Sequence, residues 1–224
     1  MTGRSWGAVL AAGLLLVTAA PGSAQELADF DYENLTFRGI SVEGGWVHPS
    51  DIESTGYVAA RFDLGFLGPG FRIVPRITYW SSQLEAAEVA RLANRLAAVL
   101  EEQGPLPGGL DLGVIDRSDF VVTVDGQFVW SLPGGVLSAL GAGVSAHFLN
   151  GSGEAVSGTF VEDLLDSVQA GLDVHGGLEY PLRDRLRLYG DVRYDLTDDI
   201  RSFQFGFGLS VLWGALAPGE TRAP

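Results

Sequence analysis

From residue 36 to residue 213 the chain falls into eight stretches in which apolar side chains alternate with polar or small ones. Period two sends successive side chains to opposite faces of an extended strand, so each stretch reads as a β-strand with one oily and one polar face. The stretches are 36–47, 57–66, 71–80, 120–131, 136–148, 168–180, 186–196 and 203–213. The connections alternate as well. Tight Gly- and Pro-bearing turns fall at 67–70, 132–135 and 181–185, and the intervening links at 48–56, 81–119 and 149–167 are longer. Only 197–202 breaks that rhythm by being short. An up-and-down barrel with turns at one rim and loops at the other produces this pattern.

The oily faces carry residues such as Val42, Phe62, Val124, Val144, Leu172 and Phe207. The opposite faces hold Glu43, Arg61, Asp63, Arg72, Arg76 and Asp125 in the first half of the chain. In the second half they hold Asp173, His175, Glu179, Arg187, Asp191, Arg193 and Asp195, together with Gln127, His147, Gln169 and Gln204. Small residues, among them Gly141, Gly143, Gly171, Gly206 and Gly208, fill the gaps between them. A soluble barrel turns its apolar face inward around a ligand, and a membrane barrel turns it outward to lipid. Alternation alone does not choose.

Two features favour the membrane. Aromatic residues gather at strand ends. Phe66, Phe71, Trp130, Tyr180 and Trp213 mark the turn end; Trp46, Tyr79, Phe120, Phe148, Tyr194 and Phe203 mark the loop end. Two such girdles are what interfacial anchoring requires. The oily faces between them are almost free of charge, as expected where a lipid-facing Lys or Arg costs about 2–4 kcal/mol at mid-depth.

Eight strands enclose a space that side chains just fill, so an open pore is not expected, and charges inside must pair. One register of the sixth and seventh strands sets Glu179 against Arg187, His175 against Asp191 and Asp173 against Arg193. Pairing across Gly68 and Pro69 sets Arg61 opposite Arg76, with Asp63 diagonal to Arg72 and Arg76, and the first hairpin can set Glu43 against Arg61. Such a network is read as structural, satisfying the inside of a narrow barrel. The competing reading is a gated cation path or a proton-linked switch at His175. Pro75 cannot donate to a ladder and predicts a local bulge.

Residues 1–24 have Arg4 followed by an apolar run and a small-residue ending at Ala24, the pattern of a cleaved secretory signal peptide. The run is too short to span a bilayer as a helix, which needs roughly 20 apolar residues. The expected division is signal peptide 1–24, tail 25–34, barrel 35–213 and tail 214–224. Acidic residues outnumber basic ones 28 to 14, giving a formal net charge of -14, the wrong sign for a sequence-blind nucleic-acid binder. The chain has no Cys, which removes disulfides, thiolate metal sites and a Cys nucleophile.

Two long loops carry helix signals. Ser82 with Glu85, and Thr159 with Glu162, match the capping-box spacing. Val89, Leu92, Leu96 and Val99 then form one stripe, so helices are expected within 82–103 and 159–167. They read as a lid over the loop-side mouth, or as a surface for a lipid, protein or sugar ligand. No metal constellation, Gly-x-Ser-x-Gly elbow or phosphate loop is present, and no cofactor is expected. Ser145 and His147 share one strand face near a rim, but the sequence identifies no carboxylate to orient the imidazole. The chain is therefore expected not to be an enzyme, with a lipid-modifying hydrolase at Ser145 and His147 as the alternative. A secreted soluble barrel binding a small apolar ligand is a further alternative.

Signal segment, eight strands, short turns against longer loops and aromatic girdles together resemble the small outer-membrane β-barrel family, the OmpA-like eight-stranded transmembrane barrels. The last strand, Gly208-Leu209-Ser210-Val211-Leu212-Trp213, is similar to the C-terminal signal read by the barrel-assembly machinery, with Val211 and Trp213 three and five positions after the glycine. It departs from that signal in having Gly206 where a polar residue is expected and in continuing to Pro224. The resemblance implies an all-β, eight-stranded antiparallel up-and-down transmembrane barrel with helices in two long loops, located in a bacterial outer membrane among its lipids. It implies a non-enzymatic structural or surface-interaction role. It does not imply cell-wall anchoring, because no peptidoglycan-binding domain follows residue 213. Lipid A deacylase members of such barrels use a His-x-Ser pair, which is missing here.

Overall fold

The computed structural model describes residues 30–101, 110–155 and 157–213. The signal-peptide and C-terminal-tail readings at 1–24 and 214–224 lie outside these residues. Nine hydrogen-bonded segments build eight barrel walls. They are β1 (Gly39–Pro49), β2 (Thr55–Asp63), β3 (Phe66–Gly68), β4 (Phe71–Gln83), β5 (Asp116–Ser131), β6 (Leu137–Ser152), β7 (Ser167–Arg183), β8 (Leu186–Thr197) and β9 (Arg201–Leu212). Every pairing is antiparallel. β1 pairs with both β2 and β9, and β2 pairs with β4, so the sheet closes on itself and has no free edge.

β3 continues the wall begun by β2. The chain breaks between them at Leu64 and Gly65, where Gly65 has φ 82° and donates its N–H to Asp63 Oδ1 at 2.8 Å. That break accounts for Pro75. β4 stays in register with β5 through the proline (Val74↔Asp125, Pro75↔Val124). The expected bulge lies instead on the other neighbour, where the register shifts along β3. At the turn rim Gly134 and Gly135 carry φ 81° and 74°, which fixes the tight β5–β6 connection in a backbone shape that side-chain-bearing residues rarely adopt.

The faces divide as the alternation predicts. Val42, Val144, Leu172 and Phe207 are each 60% or more exposed on the outer wall. Arg76, Asp125 and Arg193 are at most 2% exposed inside it. Trp46, Tyr79, Phe120 and Phe148 ring one end of the outer wall, and Trp130, Tyr180 and Trp213 ring the other. Cross-strand ring contacts, such as Trp46 on Phe205 at 5.5 Å and Phe120 on Phe148 at 6.1 Å, knit neighbouring strands together.

The strands reach further at the loop end than the alternation shows, because β4, β5 and β6 run on to Gln83, back to Asp116 and on to Ser152. Helix α1 (Ala86–Glu101) follows β4, and a short helix α2 (Phe160–Leu165) precedes β7. Thr159 caps α2, its side chain accepting from the Val161 N–H. Ser82 does not cap α1. It stays in β4 and donates to the Glu53 carbonyl at 2.7 Å, and Glu85 is the residue whose carbonyl accepts the first helical N–H groups.

Two apolar clusters close the loop end. Val47, Ile52, Tyr57, Ala59 and Trp80 pack inside the β1–β2–β4 wall. Val161 and Leu165 of α2 join Leu112 and Ile115, with Val89, Leu92 and Leu96 of α1 packed against them.

Candidate functional site

The charged interior is built by strand parity. Once Val42, Val124 and Leu172 point outward, Glu43, Asp125 and Asp173 must point in. All thirteen residues expected in the lumen are buried. A narrow barrel leaves little room for water to screen them, so each charge needs a partner at short range.

At the turn end Arg72 lies 2.5 Å from Glu179, 2.8 Å from Gln127 and 3.5 Å from Asp63, and Arg187 approaches Glu179 at 3.5 Å. At mid-depth Glu43 accepts from Arg76 at 2.9 Å, from the Tyr189 hydroxyl at 2.9 Å and from the Tyr57 hydroxyl. Arg61 lies over the Tyr189 ring, 4.4 Å from its centroid, in a cation–π contact. Nearer the loop end Arg193 forks onto both oxygens of Asp125 at 3.0 and 2.6 Å and also reaches Asp173 at 2.6 Å. His175 sits between Asp173 at 2.8 Å and Gln127 at 3.0 Å. Asp195 accepts from Gln204 at 2.6 Å and Ser202 at 3.2 Å.

Glycines make room for these groups. A Cβ at Gly141 would strike His175, one at Gly143 would strike Asp125 and Asp173, and one at Gly206 would strike Tyr57 and Glu43. Two cavities in this interior, beside Asp191 and beside Asp63, measure about 10 Å³ each, room for about one water apiece. Asp125, Asp173 and His175 bring three ligand-type atoms within 4.8 Å of one another, but Arg193 already occupies both carboxylates as their cation.

The partners differ from the expected register. β7 and β8 pair two residues further along than supposed: Glu179 faces Tyr189, His175 faces Arg193 and Asp173 faces Asp195. The cause is local. β7 continues past Pro181 to Arg183 with a shift at that point, and the turn shrinks to Asp184 and Arg185. Two of the three expected attractions survive as diagonals, Glu179 with Arg187 and Asp173 with Arg193. In the first hairpin Ser41 faces Arg61 and Glu43 faces Ala59, so Glu43 turns to Arg76. Arg61 stands opposite Arg76 and Asp63 reaches Arg72, as expected.

Sequence reasoning missed Tyr57, Tyr189 and Asp119, although each shares inward parity with a charge further along its own strand: Arg61, Asp191 and Asp125 respectively. Asp119 matters most. It is 2% exposed, and its Oδ2 lies 2.8 Å from His147 Nδ1, so the imidazole has the orienting carboxylate that the sequence did not reveal. Asp166 accepts from Asn150 and from the Gly151 N–H, and Asp199 accepts from Gln169.

No protein-family model and no curated protein matches the chain. Among solved structures, Neisserial surface protein A aligns over 79% of this chain and 97% of its own, at 15% identity and a TM-score of 0.50. A major outer membrane protein of Thermus thermophilus aligns at 14% identity over 79% and 99%, TM-score 0.49. Ail of Yersinia pestis aligns at 10% over 80% and 99%, TM-score 0.46. In fold, therefore, the chain is a closed eight-stranded antiparallel barrel of the kind seen in Neisserial surface protein A, in keeping with its resemblance to the OmpA-like barrels.

Proposed function

We propose that this protein spans a bacterial outer membrane as a closed barrel and acts through its loop face, in a structural or surface-interaction role. The observation that carries the reading is the inversion of the walls: a continuous apolar exterior surrounds a buried network of Arg, Asp and Glu. A belt of that extent in contact with water would drive association, whereas in lipid it is the favourable surface. The aromatic rings at both ends of the belt suit the two interfaces of a bilayer. No helix among the described residues is long and apolar enough to cross a membrane. A soluble barrel around an apolar ligand is not favoured, because the interior is charged and filled.

In this reading the last strand, with Val211 and Trp213, is the segment offered to the barrel-assembly machinery, outer-membrane lipid surrounds the belt, and α1 and α2 stand at the outer mouth where a surface ligand would meet them. The test is fractionation of cells expressing the full chain. The protein is expected in the outer-membrane fraction, extracted only by detergent, with gel migration that shifts on boiling. Recovery as a detergent-free soluble monomer would overturn the reading.

A further inference from the structure

The inner face of β6 presents Ser145, His147, Leu149 and Gly151 in succession toward the loop end. Ser145 Oγ lies 3.0 Å from His147 Nε2, and His147 Nδ1 lies 2.8 Å from Asp119 Oδ2 on β5. The hydroxyl therefore meets one ring nitrogen and the carboxylate the other. That order of contacts lets a carboxylate hold an imidazole in place to take a serine proton. We propose that Ser145, His147 and Asp119 form a nucleophilic site that hydrolyses carboxylic esters carrying an aliphatic acyl group, beneath a lid made by α1 and α2.

Three further observations point the same way. Asp119 Oδ1 is buried without a hydrogen-bond partner, so an imidazolium formed at His147 would meet a carboxylate whose charge is not already spent on other donors. Gly171, directly across the ladder from Ser145, gives the Ser145 hydroxyl and the His147 imidazole the room they occupy. A Cβ there would strike Ser145 Oγ and lie 3.0 Å from His147 Nε2. Thr123, the buried cross-strand neighbour of Ser145 on β5, brings a second hydroxyl to the same patch.

The acyl specificity follows from what covers the site. Leu149 is the next inward residue above His147, Leu165 of α2 packs on Gly151 above that, and the α1–α2 cluster continues the apolar surface. Such a surface suits a hydrocarbon chain better than a polar one.

The reaction balances with water as co-reactant. Ser145 Oγ attacks the ester carbonyl carbon and its proton passes to His147 Nε2. The bond from that carbon to the alcohol oxygen breaks, and the alcohol leaves with the proton. Water then adds to the acyl carbon and gives a proton to His147. The bond to Ser145 Oγ breaks, the hydroxyl regains its proton, and the carboxylic acid departs. Ser145 and His147 are the catalytic residues, and Asp119 is a positioning residue.

The test uses the full chain folded in detergent micelles, with folding of every variant checked by its boiling-dependent migration. An alkyl fluorophosphonate is expected to label Ser145, and p-nitrophenyl octanoate to be cleaved faster than p-nitrophenyl butyrate. Ser145→Ala should abolish both, and His147→Ala should lower them at least ~100-fold. Asp119→Asn should lower the rate at least ~100-fold, with partial rescue by Asp119→Glu. A purely structural hydrogen-bond chain would show neither the labelling of Ser145 nor the rescue by Asp119→Glu. The lid variant Val161→Ser/Leu165→Ser should label faster than wild type. Fatty-acid release from phospholipid vesicles would identify a membrane lipid as the ester's source, and turnover of the p-nitrophenyl esters alone a soluble ester; both support the site. Absence of labelling in folded wild type and in the folded lid variant would overturn it, as would labelling that survives Ser145→Ala.

Discussion

The chain contains no lysine, so each of its 14 basic side chains is a guanidinium. That choice suits a crowded interior. A guanidinium presents five donors in a planar fork and satisfies two carboxylates at once, where an ammonium offers a point charge. Arg193 does this with Asp125 and Asp173. Arg193→Ala should leave two buried carboxylates without their cation and destabilise the barrel by about 3–5 kcal/mol. Arg193→Lys should cost less, because charge is kept and only the fork is lost. Urea unfolding in phospholipid vesicles, followed by Trp fluorescence, measures both. Gly143→Ala should cost about 1–3 kcal/mol in the same assay, since the added methyl collides with Asp125 and Asp173. Gly44→Ala is the control, because a Cβ there meets little besides the Tyr57 carbonyl at 3.8 Å.

Among the strands, depth along the wall decides what a substitution does. Val144, mid-strand on the outer face of β6, should lose about 2–4 kcal/mol as Val144→Arg, while Val168→Arg, at the loop end of β7, should cost about 0–1 kcal/mol. The same unfolding assay compares them, and equal costs would remove depth as the cause. Strand identity and inward or outward facing were legible in the sequence because period two is carried by each strand alone. Register was not, because it is set by what the chain does at its turns. One shift near Pro181 moved the whole β7–β8 pairing by two residues and kept every side chain on its proper face, so no pattern of oily and polar residues could report it. For the same reason the triad was half visible. Ser145 and His147 lie on one strand, whereas Asp119 reaches them only through the β5–β6 register. The start of α1 misled because Ser82 found a cross-strand carbonyl in place of a helix terminus.

Taken as a whole, the molecule is a wall filled with its own side chains, and a filled interior does not conduct. In planar bilayers the protein should give no stable large single-channel steps, and their appearance would contradict the packing of Arg72, Arg76 and Arg193 across the lumen. Closure has another consequence. Gly39 at the start of β1 stands directly across from Leu212 at the end of β9. The first and last strands therefore meet as any hairpin does, lacking only the link. A circular permutant that joins them with a short linker, and reopens the chain within 153–158, keeps every strand beside its present neighbours. It would rebuild the same cylinder from a different starting point, with new ends emerging at the opposite rim.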